Sequence, residues 1–204
     1  MIGHNMLITL LICYSIVMVF VGALGILGIY FLISSRFMSH PPSVPSTGIV
    51  KQALLEDIEY HLNGAKSQKI MDLGCGWGTL LIPLAKKYPT HTFVGIEFAF
   101  TTYWVCRWRT RKLKNVTILR ENLLHSDISS ADIVILFLFQ KIMPSLKKKC
   151  LSEMKNGALI YTNRFYFPAW KPDKQVCFKD KMETYYVYSI TPKIKRGGVR
   201  TKKG

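Results

Sequence analysis

Residues 69–97 constrain this chain more than any other stretch. An apolar run at 70–73 carries one acid, Asp72. Gly74, Gly76 and Gly78 follow at alternate positions, then Leu80, Leu81, Leu84 and Ala85 at helical spacing. A second apolar run at 93–96 ends on Glu97. This order predicts strand, glycine turn, helix, strand and acid, half of a doubly wound α/β nucleotide site. A ligand lying across the end of the first strand needs a backbone approach that a Cβ would block, and glycine also permits positive φ. An acid at the tip of the second strand, roughly twenty residues after the glycines, can accept two ribose hydroxyl hydrogens. Glycines alone specify only a tight turn. Here they are Gly-x-Gly-x-Gly, not the Gly-x-Gly-x-x-Gly of dinucleotide enzymes, and Asp72 stands two residues before the first.

The N-terminal region sets a second constraint. Residues 6–34 contain no charged side chain. As a helix they extend ~43 Å, against a hydrocarbon core of ~30 Å. A secretory signal has a basic start and a shorter apolar core, so the run is expected to be a retained transmembrane helix. Gly22, Gly25 and Gly28 share roughly one face, as helix-packing glycines or simply as the glycines common in such spans. Arg36 and Lys51 lie on its C-terminal side and no Lys or Arg on the other, which predicts a cytoplasmic domain. Residues 39–48 are rich in Pro and Ser and stiffen an extended path. A net charge of +16 then has a ready partner in anionic lipid.

The remaining chain completes an α/β pattern. Residues 49–62 form an amphipathic helix stopped by Asn63-Gly64, with His61 as a last-turn cap. A helix at 99–113 carries Arg107, Arg109, Arg111, Lys112 and Lys114 with Trp104 and Trp108 interleaved. Such a face suits lipid headgroups, single-stranded nucleic acid or plain solvent. Strands are expected at 116–119, 133–139 and 158–162, with a basic helix at 141–154 and a terminal hairpin at 174–178 and 184–190. The third strand leads to Asn122, placed to contact an adenine ring. After the fifth strand, Phe165, Phe167 and Trp170 either line an acceptor pocket suited to an amine or pack as core at a bend. The five cysteines, Cys13, Cys75, Cys106, Cys150 and Cys177, have no metal spacing and suit a reducing compartment. Cys75 is expected to be a small packing residue.

The motif Asp72-Leu73-Gly74-Cys75-Gly76-Trp77-Gly78 resembles the first motif of class I S-adenosylmethionine-dependent methyltransferases. Further residues sharpen the likeness: Pro45-Ser46-Thr47, Gly95-Ile96-Glu97, Tyr103 with Arg107-Trp108-Arg109, Asn122-Leu123, and Arg164-Phe165-Tyr166-Phe167-Pro168 with Trp170 and Pro172. Over residues 36–190 they resemble the mitochondrial protein-lysine methyltransferases of the ATP synthase c subunit and the adenine nucleotide carrier. The short form looks like a bacterial relative, which places the chain in an inner membrane. The family usually has an acid at Trp77 and an aspartate at Asn122; the first loses a carboxylate, the second only its charge.

The resemblance implies a Rossmann-like α/β methyltransferase domain, a mostly parallel seven-stranded sheet with a terminal antiparallel hairpin, after one transmembrane helix. The expected divisions are a short end (1–5), the span (6–34), a linker (35–48), the methyltransferase domain (49–190) and a basic flexible tail (191–204). S-adenosyl-L-methionine is the implied cofactor, on Asp72, Gly74, Gly76, Gly78, Glu97 and Asn122. The acceptor side falls to Asn163, Phe165, Phe167 and Trp170, with no dedicated nucleophile and no metal. The implied acceptor is a lysine of a membrane or membrane-associated protein. Nucleic acid is disfavoured: the chain has neither an Asp/Asn-Pro-Pro-aromatic motif nor a Pro-Cys pair. Lipid, quinone or small-molecule methylation, and a non-enzymatic membrane adaptor, are the other readings.

Overall fold

A computed structural model of the chain describes residues 2–37, 48–178 and 184–192. The expectations for most of the linker and for the basic tail lie outside those residues. Two compact units are present, Met1–Pro42 and Ser43–Gly204. The first is a single helix, α1 (Ile2–Phe37). Within it Ile8–Tyr30 is long and apolar enough to cross a membrane, judged by length and composition.

The second unit is built on one sheet. Its strands are β1 (Lys69–Leu73), β2 (Thr92–Ile96), β3 (Val116–Leu119), β4 (Ile133–Leu136), β5 (Leu159–Asn163), β6 (Lys174–Cys177) and β7 (Thr184–Ser189). They run in the order β3-β2-β1-β4-β5-β7-β6. The first five are parallel, and β7 pairs antiparallel with both β5 and β6. This is the Rossmann-like arrangement expected from the sequence, hairpin included. Its strand order reverses beside β1, and ligands in such sheets bind beyond the carboxyl ends at that point.

Alternation along the strands divides the core. On one face Ile70, Phe93, Ile133, Ile135 and Tyr161 pack with α2 (Gly48–Leu62) and α3 (Leu81–Lys87). Helix α2 contributes Val50, Leu54, Ile58 and Leu62, a four-residue periodicity that buries one stripe. On the other face Met71, Leu73, Val134, Leu136 and Ile160 pack with α5 (Met143–Glu153). Helix α4 (Phe100–Thr110) buries only Cys106 and Thr110 fully.

Several boundaries differ from expectation. The fourth strand stops at Leu136 rather than Phe139, because its neighbour β1 ends at Leu73 and offers no ladder beyond it. A 3₁₀ turn, Gln140–Ile142, precedes α5. Pro144, which cannot donate to a helix, sits in the first turn of α5, where no donor is needed. The expected basic side of this helix is largely spent internally. Lys149 is buried and paired with Glu153 at 2.8 Å. Lys147 Nζ donates to the carbonyls of Pro168 and Ala169. Helix α4 ends at Thr110, so Lys112 and Lys114 follow it instead of extending its face.

Candidate active site

The glycine turn begins where β1 ends. Gly74, Gly76 and Gly78 have φ of 85°, 53° and 73°, left-handed values that favour glycine. The N–H groups of Gly74 and Cys75 both donate to the Ile96 carbonyl, which ties the turn to the end of β2. A Cβ on Gly78 would meet Cys106 Sγ at 2.8 Å and Ile82 at 3.0 Å, so this glycine lets α4 and α3 close on the turn. A Cβ on Gly76 would meet nothing within 4 Å. Gly76 therefore faces open space, while Gly78 faces protein.

Glu97 is held over this turn. Its Oε2 accepts from the Gly76 N–H at 2.9 Å, and its Oε1 accepts from the Ala99 N–H at 2.8 Å. Each oxygen keeps a further lone pair. The carboxylate is thus aimed before any ligand arrives, a feature invisible in the spacing alone.

Asp72 is only 1% exposed, and its Oδ1 has no hydrogen-bond partner. Burial, assisted by the nearby Glu97 charge, lifts its carboxyl to about 7. A buried acid left with an open oxygen is unusual and marks a place for a cationic or donor group. Cys75 behaves otherwise. Its thiol lies 4.0 Å from that of Cys106, and that hydrogen bond together with burial holds its pKa well above normal. It remains an inert thiol in a tight space, as expected.

Asn122 is exposed and caps the turn that follows it. Its Oδ1 accepts from the Leu124 N–H at 3.0 Å, and its carbonyl accepts from His125 and Ser126. The carboxamide nitrogen is the atom left to meet a ring nitrogen. Trp77, where the resemblance implies an acid, is 58% exposed, and its carbonyl receives Arg109 Nη1 from α4 at 2.6 Å. Sequence reading missed this link, since nothing in the helix pattern separates Arg109 from its neighbours.

On the acceptor side the expected residues split. Phe167 is fully buried, stacked on Trp170 at 5.1 Å and set edgewise to Tyr188 at 5.0 Å. Trp170 and Phe167 therefore pack as core at the bend, the second of the two readings of this segment. Phe165 is half-buried beside Phe139 at 6.2 Å. Asn163 is 7% exposed, and its Oδ1 has no hydrogen-bond partner. By alternation with Tyr161 it faces the same side of the sheet as Asp72, one pleat nearer the carboxyl edge.

This geometry matches a known family. Residues 72–174 fit the family model of the ANTKMT methyltransferase domain. The chain belongs to the ANTKMT methyltransferase family. Among relatives of this methyltransferase, the protein-lysine N-methyltransferase of Saccharolobus islandicus is 27% identical over 159 residues, covering 76% of the chain and 96% of that protein. The ATP synthase c-subunit lysine N-methyltransferase of Mus musculus is 29% identical over 133 residues, 63% of the chain. The chain spans about half of that mouse protein, 52%. In fold the methyltransferase is similar to an RNA methyltransferase from Salinibacter ruber solved with S-adenosyl-L-homocysteine. The TM-score is 0.64 at 24% identity over 73% of the chain and 95% of that structure. The chain is an S-adenosyl-L-methionine-dependent methyltransferase. Its residues fit that cofactor: an unpartnered buried carboxylate oxygen suits the cationic methionyl end, and open space beside Gly76 lies under an aimed Glu97. Among the described residues no His, Cys, Asp and Glu group could hold a metal ion.

Proposed function

We propose that this methyltransferase N-methylates a lysine of a membrane or membrane-associated protein, anchored through α1. The observation that carries the acceptor is Asn163. Its buried carboxamide oxygen has no hydrogen-bond partner at the carboxyl edge, where an amine N–H is the natural donor. The names of the Saccharolobus and mouse relatives support lysine as that amine.

In this reading Asp72 holds the methionyl ammonium, Glu97 the ribose hydroxyls and Asn122 the adenine. When bound, the cofactor supplies a methyl group made electrophilic by its sulfonium. The chain supplies position and desolvation. An amine must be neutral to attack. The apolar wall that includes Phe165 penalises its charged form and lowers its pKa, while Asn163 Oδ1 accepts one N–H and directs the lone pair. Phe167 and Trp170 act through the bend they brace, not by touching substrate. The anchor reading rests on Ile8–Tyr30, and Arg36 with Lys51 after it favours a cytoplasmic catalytic unit.

The test is transfer of radiolabelled methyl from S-adenosylmethionine to membranes of a deletion strain. Label should appear in protein and hydrolyse to methyl-lysine; label in RNA or lipid refutes the acceptor class. Asn163→Ala should raise KM for the protein acceptor while leaving S-adenosylhomocysteine affinity intact. A reporter fused after Gly204 should be active on the cytoplasmic side, and activity on the far side would reverse the topology.

A further inference from the structure

Helix α4 leaves one stripe uncovered. Phe100, Trp104 and Trp108 recur at four-residue spacing and are 55%, 51% and 64% exposed. Each ring carries a guanidinium on it. Arg120 lies 5.2 Å from the Phe100 centroid, Arg107 6.0 Å from Trp104, and Arg111 4.2 Å from Trp108. Between Glu97 and Glu121 there is no acidic residue. Among the described residues of this unit, the other exposed large apolar side chains, apart from those at 98, 105 and 77 beside the stripe, lie apart at Ile49, Tyr60 and Tyr166. A solvated helix face has no reason to gather three large rings, and burying them against protein would strand the guanidiniums.

We propose that this stripe of α4 is a seat for an anionic lipid surface, resting on the membrane reading above. Rings at interfacial depth with cations at headgroup level is the arrangement that amphipathic interfacial helices use. Charge complementarity selects acidic lipid over neutral lipid. Single-stranded RNA fits less well, because a guanidinium already occupies a face of each ring on which a base would stack. The seat also reaches the cofactor site. Arg109, on the same helix, binds the Trp77 carbonyl within the glycine turn. The helix itself starts at Phe100, just past the Ala99 N–H that donates to Glu97. Lipid contact would therefore orient the mouth of the site toward headgroups.

The experiment uses the full chain in nanodiscs of neutral lipid or of neutral lipid with phosphatidylglycerol, brominated near the headgroup. None of the four tryptophans lies in α1. With Trp104 and Trp108 on the stripe and exposed Trp77 beside it, anionic discs should quench about half or more of the tryptophan emission. Neutral discs should quench far less, and salt near ~1 M, where the screening length falls to ~3 Å, should abolish the difference. W104Q/W108Q should remove most of that quenching, and R107Q/R111Q should remove its lipid dependence. Equal quenching in both discs, or none, overturns the proposal. So does retention of a single-stranded RNA oligonucleotide that W104Q/W108Q releases, without lipid dependence. S-adenosylhomocysteine binding is measured on the same discs. Normal binding without quenching sinks the seat alone, whereas quenching without binding sinks the methyltransferase reading and leaves the seat.

Discussion

Cofactor affinity should fall steeply with acid, and Asp72 is the reason. Its carboxyl is raised from 3.8 to about 7, first by burial and then by Glu97. In the free protein at pH 6 most molecules carry a neutral Asp72. Holding a methionyl ammonium requires the ionised form, so binding below pH 7 must expel a proton. By linkage the apparent Kd scales as one plus the proton concentration over the free-state dissociation constant. Affinity for S-adenosylhomocysteine should then weaken about tenfold from pH 8 to pH 6 and about a hundredfold by pH 5.

Calorimetry with S-adenosylhomocysteine isolates this effect, because the rate would also reflect titration of the acceptor amine. Repeating the titration in buffers of different ionisation enthalpy should show about 0.9 proton released per ligand at pH 6. Asp72→Asn should bind ten- to a hundredfold more weakly at pH 8, as loss of a charged hydrogen bond costs about 1.5–3 kcal/mol, and its affinity should be flat with pH. Affinity of the unaltered protein that is constant from pH 5 to 8, or that improves in acid, would refute the argument. The stability sign agrees. The unfolded acid ionises near 3.8 and the folded one near 7, so the ligand-free fold binds more protons between those values. It should lose about 4 kcal/mol as pH rises through that window, and bound ligand should restore part of it.

Other substitutions separate binding from folding. Gly78→Ala puts a Cβ into Cys106 and Ile82 at positive φ and should cost about 2–4 kcal/mol, read as a Tm fall of about 4–16 °C. Gly76→Ala meets no protein atom, so it should cost only about 1 kcal/mol in the fold yet lower S-adenosylhomocysteine affinity at least tenfold by calorimetry. Glu97→Ala removes the acceptor of two backbone N–H groups and should weaken ligand binding more than tenfold; unchanged affinity would remove Glu97 from the ribose role. Phe167→Ala should cost about 3–5 kcal/mol by denaturation, whereas Phe165→Ala, only half-buried, should cost less and raise acceptor KM.

What the sequence made legible was whatever local chemistry decides. Period-two alternation, three spaced glycines and an acid at each strand end place Asp72, Gly76 and Glu97 without reference to distant residues. What stayed hidden depends on partners far along the chain. The fourth strand ends early because β1 ends, not because its own apolar run does. Phe167 and Trp170 read equally as pocket or core until Tyr188, from the distant β7, supplies the third ring. Lys147 and Lys149 look solvated until the 168–169 carbonyls and Glu153 claim them.

Three departures from local rules meet near the carboxyl edge of the sheet and bear on the site. Asp72 is buried with an open oxygen on β1, and Asn163 is buried with another on β5. The next residue, Arg164, holds a left-handed φ of 66° without being glycine, fixed by its N–H to the Thr184 carbonyl at 2.7 Å. Such a conformation costs about 1–3 kcal/mol and persists only where surrounding structure enforces it. Here the antiparallel β7 does the enforcing. An all-parallel sheet ending at β5 would let residue 164 relax and Asn163 turn toward water. The terminal hairpin is thus more than an edge cover: by clamping the chain just past Asn163 it holds an unpartnered acceptor on the same face as Asp72 and one pleat above it.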